Sequence, residues 1–425
     1  MKNKMIIFPI IAIIIVILLA SKVINKKFNN NDKHNYNEII NNNDFNIKLI
    51  KEVNKNHKEN YLISPYSIEI ALNLLKEGAN ENTLKEIENL IDNRKISNLI
   101  IKDRIGIANA AFIKNDYKKY ILDSYINKLK ENYNSEVIYD SFTTPKKINN
   151  WVNNKTNGMI NKILDEINED FVLGLANALA IDVEWKSPFE CIDTKEEDFT
   201  KENGKIIKVE MMHKVLSNNS YEYLENDNAK GIVIPYKSYN KDTGEEDNND
   251  NNLELIAILP NNKIDEYINN LNDEELDNLL NNSKSPSKKL EINLSLPRFS
   301  YDYELKDFKE ILKDLGIKDA FDANKADFTK IIKRNNVVNN IYIGEAIHKT
   351  HIDLNEKGTK AAAITYFGMF KNTAIKPEEK ETINIKFNKP FIYIIRDKKS
   401  NEMLFFGAVY KPNEWHGTTC TKTND

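Results

Sequence analysis

The segment Glu356-Lys-Gly-Thr-Lys-Ala-Ala-Ala-Ile-Thr-Tyr-Phe-Gly-Met-Phe-Lys-Asn-Thr-Ala-Ile-Lys-Pro-Glu-Glu379 lies between two runs that read as strands. It is too rich in small residues to be a core strand itself. Every second position from Thr359 is nevertheless compact or apolar: Thr359, Ala361, Ala363, Thr365, Phe367 and Met369. That period of two is what a segment needs to enter a sheet with one face inward, so the same residues suit an exposed loop and a buried strand. Gly358, at the head of the pattern, tolerates a large backbone change and reads as a hinge.

Downstream of this segment the chain is mostly β. Strands are expected over 383–387, 391–397 and 403–410, with a hairpin turn at 397–401. Upstream, 290–296 alternates apolar and polar residues as a half-buried strand, and 305–315 is an amphipathic helix stopped by Gly316. Strand-like runs at 231–236 and 253–260 flank an acidic, Asn-rich stretch, 237–252, which reads as a long loop. The apolar run 171–185 has only Asn177, Asp182 and Glu184 as polar interruptions and reads as a centrally buried strand. Ile148, Trp151 and Val152 mark one face of a helix, and 105–113 reads as a strand. Residues 67–77 carry Ile68, Ala71, Leu72 and Leu75 at helical spacing. Thr83-Leu-Lys-Glu86 then has the form of a capping box opening the next helix. No internal repeat is visible.

Composition removes several classes of function. The chain has 425 residues, 41% hydrophobic and 29% charged, enough to bury a large core. Its 60 basic and 64 acidic residues are interspersed, with a net charge of −4, which argues against nucleic acid as a partner. The 13 glycines include no pair two, four or five apart, so dinucleotide loops, nucleophile elbows and phosphate-binding loops are absent. The histidines form no metal motif, and His348 and His351, three apart on an expected strand, point to opposite faces. No metal or other cofactor is implied. Cys191 and Cys420 are the only cysteines, so no disulfide framework is implied, and whether the two pair is left open.

The N-terminus is of a different kind. Lys2 and Lys4 precede an apolar run from Met5, followed by a polar tract over 25–43 that looks like a solvated tether. A cleaved signal peptide and an uncleaved signal-anchor over 1–24 both remain open, and both imply export. The expected organisation is this segment, a linker at 25–42, a single domain over 43–412 and a tail at 413–425. Localisation is expected to be extracellular or in the cell envelope, with a membrane tether if the segment is retained.

Glu356-Lys-Gly-Thr-Lys-Ala-Ala-Ala-Ile-Thr365 resembles the hinge of a serpin reactive-centre loop. Further stretches resemble the family in its own order: Asn60-Tyr-Leu-Ile-Ser-Pro-Tyr-Ser67, Asn150-Trp151 through Gly158, and Leu175-Ala-Asn-Ala178 through Trp185. Leu296-Pro-Arg-Phe299, Asp319-Ala-Phe321, Ala326-Asp-Phe328 and His348-Lys-Thr350 follow, then Phe387-Asn-Lys-Pro-Phe391 through Asp397 and Leu404-Phe-Phe-Gly407. The resemblance implies an α+β fold of three sheets and about nine helices, with an exposed loop that baits a protease. It implies a monomeric inhibitor, not an enzyme. The partner is a serine protease, with cysteine proteases a second class, held in a covalent 1:1 complex after the loop inserts into the central sheet.

Carried over residue by residue, the hinge comprises Glu356, Gly358, Thr359, Ala361, Ala362 and Ala363. Ser64, Ser67, Asn177 and His348 fall at the family's shutter, where hydrogen bonds hold the central sheet closed, and Trp185 falls at the breach, where insertion starts. The chain departs from the family at Val183, where Gly is frequent. The usual spacing puts the scissile bond at Asn372-Thr373, and a loop one residue shorter puts it at Lys371-Asn372. The alternative function is that of a non-inhibitory serpin acting as a carrier, chaperone or envelope-tethered interaction protein. Such relatives carry bulky or charged residues on the inserting face, and Thr359, Ala361 and Ala363 are neither.

Overall fold

The structure is a computed structural model that describes residues 44–91, 105–216, 220–238, 253–333, 340–359 and 380–417. The N-terminal segment, most of the acidic stretch and residues 360–379 lie outside the described residues. All described residues belong to one compact unit, Asn42–Asp425.

The longest apolar runs build the seven-stranded sheet. Its order is β1 (Tyr61–Ile63), β18 (Met403–Val409), β17 (Phe391–Asp397), β10 (Leu253–Pro260), β9 (Ala229–Pro235), β8 (Glu222–Glu225) and β11 (Ser283–Lys284). Every residue of β17 and β18 is buried, as expected of mostly apolar strands with neighbours on both sides, and the polar end of β17 is satisfied by the Arg396–Glu254 pair. Gly407 is there because Tyr393 crosses it: a Cβ at 407 would lie 2.2 Å from the tyrosine ring.

A four-stranded sheet runs β16 (Glu381–Lys386), β12 (Leu290–Pro297), β7 (Ile206–Leu216) and β6 (Thr194–Thr200). β16, the first strand after residues 360–379, is its edge and pairs parallel to β12.

The remaining sheet is divided lengthwise. One part is β3 (Glu136–Asp140), β2 (Ile105–Lys114) and β4 (Leu173–Ile181); the other is β13 (Phe299–Glu304), β14 (Lys349–Leu354), β15 (Gly358–Thr359) and β5 (Val183–Glu184). Since β5 continues β4 after Asp182, the parts meet at that end only, through β15. Among the described residues no ladder hydrogen bond joins β4 to β14.

This division corrects the expectation for 171–185. It is a strand interrupted at Asp182, and residues 173–177 are only half buried, because β4 has a strand on one side and the gap on the other.

Helix α1 (Asp44–Asn56) comes first, and α2 (Pro65–Lys76) packs against β4 and β18. Ser64 is the N-cap of α2: its Oγ accepts from the Ser67 N–H at 3.1 Å. Helix α3 spans Glu81–Ile91 and begins two residues before the expected capping box. Thr83 and Glu86 instead reach another segment: Thr83 Oγ1 accepts from the Asp327 N–H, and Glu86 accepts from the N–H groups of Lys318 and Asp319. Helices α4 (Asp123–Tyr133) and α5 (Lys146–Lys155) follow. Ile148, Trp151 and Val152 of α5 are buried against β2 and β4, as their spacing predicts. Helices α6 (Ile264–Asn270) and α7 (Asp273–Asn281) precede β11. Helix α8 is Phe308–Asp314, shorter than the periodicity predicts, and ahead of it the Leu305 N–H donates to the His348 carbonyl.

Cys191 is disulfide-bonded. Cys420, the other cysteine of the sequence, lies outside the described residues. No described helix is long and apolar enough to cross a membrane.

Candidate functional site

The divided sheet puts the hinge sequence at the point where its two parts meet. Asn355 makes the turn: its N–H donates to the Gly358 carbonyl and its Oδ1 accepts from the Lys357 N–H, both at 3.0 Å. The chain thereby reverses after β14, and Gly358 and Thr359 return between β14 and β5. Thr359 pairs with Leu354 on one side and Val183 on the other, and Gly358 pairs with Glu184. Gly358 has φ +157°, and a Cβ there would stand 2.1 Å from the Val183 carbonyl oxygen. Only glycine lets the strand pass so close.

Several side chains fix this turn. Glu356, 6% exposed, receives the Arg298 Nε–H at 2.8 Å from each carboxylate oxygen, and the Thr194 hydroxyl donates to its Oε1. Arg298 also pairs with Glu210 at 3.3 Å. Burial alone would lower the Arg298 pKa, but the carboxylates of Glu356 and Glu210 outweigh it and raise it. Trp185, fully buried, donates from its indole N–H to the Asn355 carbonyl at 2.9 Å and stacks on Tyr236 with ring centres 4.5 Å apart. The Trp185 main-chain N–H donates to Lys357 and that of Phe189 to Glu356, both at 2.8 Å. The Tyr236 hydroxyl meets Thr359 Oγ1 at 2.7 Å.

Further along the gap, the start of α2 reaches both parts of the sheet. The Ser64 N–H donates to His348 Nε2 at 3.0 Å, at the head of β14. The Ser67 hydroxyl donates to Asn177 Oδ1 in β4, whose Nδ2 continues to Asn109 Oδ1 at 2.8 Å. Ser64, Ser67, Asn177 and His348 therefore lie together, but as two separate bonds, one to each side. Among the described residues no hydrogen bond joins Asn177 to His348. His348 Nε2 must be unprotonated to accept, and burial pushes its pKa down to about 4. His351 faces the other way and bonds to Asp302 at 2.8 Å.

Between the strands lies a cavity of about 20 Å³, lined by Leu179 and Ile181 of β4, Ile352 of β14, Thr359, and Ile160 from the segment after α5. Apart from Thr359 and His351 the lining residues are apolar. Of the residues expected to form the hinge, Glu356 lies in the turn after β14, and Gly358 and Thr359 form β15. Ala361, Ala362 and Ala363, and both candidate scissile bonds, Asn372-Thr373 and Lys371-Asn372, lie outside the described residues. Among the described residues no cluster of His, Cys, Asp and Glu could hold a metal ion.

Tyr236, Thr194 and Asn355 belong to the site without any local signal in the sequence, and Arg298 stands out there only as part of a motif. Tyr236 follows an ordinary strand, and its partner is 123 residues away.

The class is that of a mixed α+β fold with a parted sheet and Gly358-Thr359 returning between β14 and β5. A sequence model described as serpin (serine protease inhibitor) matches residues 40–412, and the chain belongs to this family. Members are in general protease inhibitors that form covalent complexes with their targets, and not enzymes. The chain is 30% identical over 394 residues to an uncharacterized serpin-like protein of Thermococcus kodakarensis, covering 88% of this chain and 85% of that one. It is 30% identical over 397 residues to a serine protease inhibitor of Mus musculus, covering 87% and 88%. The crystal structure of the thermophilic serpin tengpin in its native state superposes with a TM-score of 0.72 at 33% identity, covering 89% of this chain and 95% of that one.

Proposed function

We propose that this protein inhibits serine-type endopeptidases as a suicide substrate, exported from the cell or held in its envelope by the N-terminal segment. The observation that carries the reading is the central gap, closed at one end by Thr359 and bordered near that end by Leu179 and Ile181 of β4 and Ile352 of β14. It has the width of one strand at the hinge, and the residues that follow Thr359 alternate correctly to fill it.

The target's serine hydroxyl attacks the carbonyl carbon of the scissile residue, at Asn372-Thr373 or Lys371-Asn372. The C–N bond breaks, the new amino terminus leaves with a proton, and the loop stays joined to the protease as an ester. Cut from its downstream anchor, the segment from Thr359 onward enters the gap and carries the protease with it. Distortion of the protease's site then stalls hydrolysis of the ester. Glu356 to Ala363 act as the hinge, Trp185 marks the entry, and the bonds of Ser64, Ser67, Asn177 and His348 resist opening beyond it. Ordering about 15 residues costs about 1 to 2 kcal/mol each in backbone entropy, so ladder hydrogen bonds and side-chain burial must exceed that sum. The uncleaved protein is therefore kinetically trapped.

The test is to mix the purified domain separately with trypsin, chymotrypsin and subtilisin. A band that survives SDS, with the mass of protease plus inhibitor less the released C-terminal peptide, is expected with at least one of them. Clean cleavage by all three without a covalent band would count against inhibition of this kind.

A further inference from the structure

We infer that Tyr236 is a positioning residue for loop insertion, one that selects a hydroxyl at the first inserting position and holds the hinge seated before any protease arrives. The inference rests on the insertion reading above, and its test is arranged so that the two can fail separately.

The Tyr236 side chain is fully buried, and its hydroxyl stands 2.7 Å from Thr359 Oγ1, which is buried as well. Neither residue has another side-chain hydrogen bond among those described. No other described side chain hydrogen-bonds this phenol, and the neighbouring Tyr393 hydroxyl is already paired with that of Tyr301 at 2.9 Å. If the hinge swung out, the phenol would be left buried without a partner, and a buried polar group without a partner is costly. The seat is thus incomplete without a hydroxyl at 359. A small residue is not enough.

Tyr236 is also held rigidly. Its ring stacks on Trp185 at an interplanar angle of 11°, and its main-chain N–H donates to Leu253 at 3.1 Å. On either side, Lys186 N–H donates to the Pro235 carbonyl and Lys237 N–H to the Glu184 carbonyl, both from or to the strand that Thr359 pairs with. A group fixed to β5 and its continuation presents the phenol where the incoming strand needs it. Insertion therefore starts from two residues already in register, Gly358 and Thr359, and the costly nucleating step is complete before cleavage.

The experiment uses the full domain carrying Tyr236→Phe, Thr359→Val, both together, or Thr359→Ser. Hydrogen exchange of the amides at 358–359 and 183–184 is measured before any protease is added. The stoichiometry of inhibition and the gain in thermal stability on loop cleavage follow. Each of the first two variants is expected to raise exchange at these amides at least 10-fold and the stoichiometry about 3-fold. The double variant should be no worse than either alone, and Thr359→Ser should restore protection. Unchanged exchange in both single variants, or a double effect equal to the product of the two, overturns the inference. If the parent protein itself gains no stability on cleavage, the insertion reading fails, while the exchange data still decide the seat.

Discussion

Arg298 grips Glu356 with its Nε 2.8 Å from both carboxylate oxygens, across 58 residues of sequence. One partner sits between β12 and β13, and the other follows β14, so the contact locks the turn that delivers the hinge into the gap. Both side chains are largely buried, at 17% and 8% exposed. Removing Glu356 leaves Arg298 with Glu210, at 3.3 Å, as its carboxylate partner and strips the turn of its two short charged hydrogen bonds.

Glu356→Gln is accordingly expected to lower the stability of the uncleaved protein by about 2 kcal/mol, the loss of charge-assisted hydrogen bonds while Arg298 keeps Glu210. Exchange at Gly358 and Thr359 should rise with it. Urea unfolding of both forms checks the first part, and exchange mass spectrometry the second. A loss no larger than that from an exposed Glu-to-Gln change would show that the pair does not anchor the turn.

Thr359→Arg should fold and yet lose inhibition. The residue sits between two strands and is 4% exposed, so a guanidinium has no place there and the hinge must leave the seat. Cleavage by a protease that the parent traps is expected to become turnover, with the stoichiometry rising at least 10-fold. Retained inhibition by this variant contradicts entry through β15.

Gly358→Ala tests the close approach itself. Its methyl group would meet the Val183 oxygen at 2.1 Å and the Glu184 Cα at 2.7 Å, all backbone that cannot rotate away. The expected loss is about 2 kcal/mol in the uncleaved state, in the range of an overpacked site, with hinge amides exposed. A crystal structure of the variant with the hinge backbone unmoved would contradict it.

His348 links stability to pH. Its pKa is about 4 in the fold, against the usual 6.5, because burial disfavours the charged ring. Between those values the unfolded chain binds the extra proton, so stability is complete above about pH 6.5 and falls as pH drops towards 4. The full shift corresponds to roughly 3 kcal/mol. Urea midpoints of the parent should fall over this window more steeply than those of His348→Gln. Parallel slopes would show that His348 titrates normally.

Much of the fold is legible in the residues because apolar periodicity governs it. The strands at 253–260, 391–397 and 403–409 are mostly apolar, broken only by Glu254, Arg396 and Asp397, and β17 and β18 are buried along their whole length. Helix α5 likewise follows from Ile148, Trp151 and Val152. The gap does not follow, since the composition of β4 is the same whether its second edge is paired or open. The capping motif at Thr83 misled because its hydroxyl and the Glu86 carboxylate satisfy distant N–H groups rather than their own helix. In the site, Gly358 and Thr359 are marked by local sequence. Tyr236, Trp185 and Arg298 become neighbours only through pairing across the whole chain.

Once the loop is cut, the segment after Thr359 should complete the parted sheet. The most direct measurement compares thermal unfolding, and hydrogen exchange in β4 and β14, before and after a single cut within residues 360–379. The predicted result is a midpoint raised by roughly 10 °C or more, with the β4 and β14 amides protected along their length. A nicked protein that melts where the intact one does, with those amides exchanging as before, would contradict it.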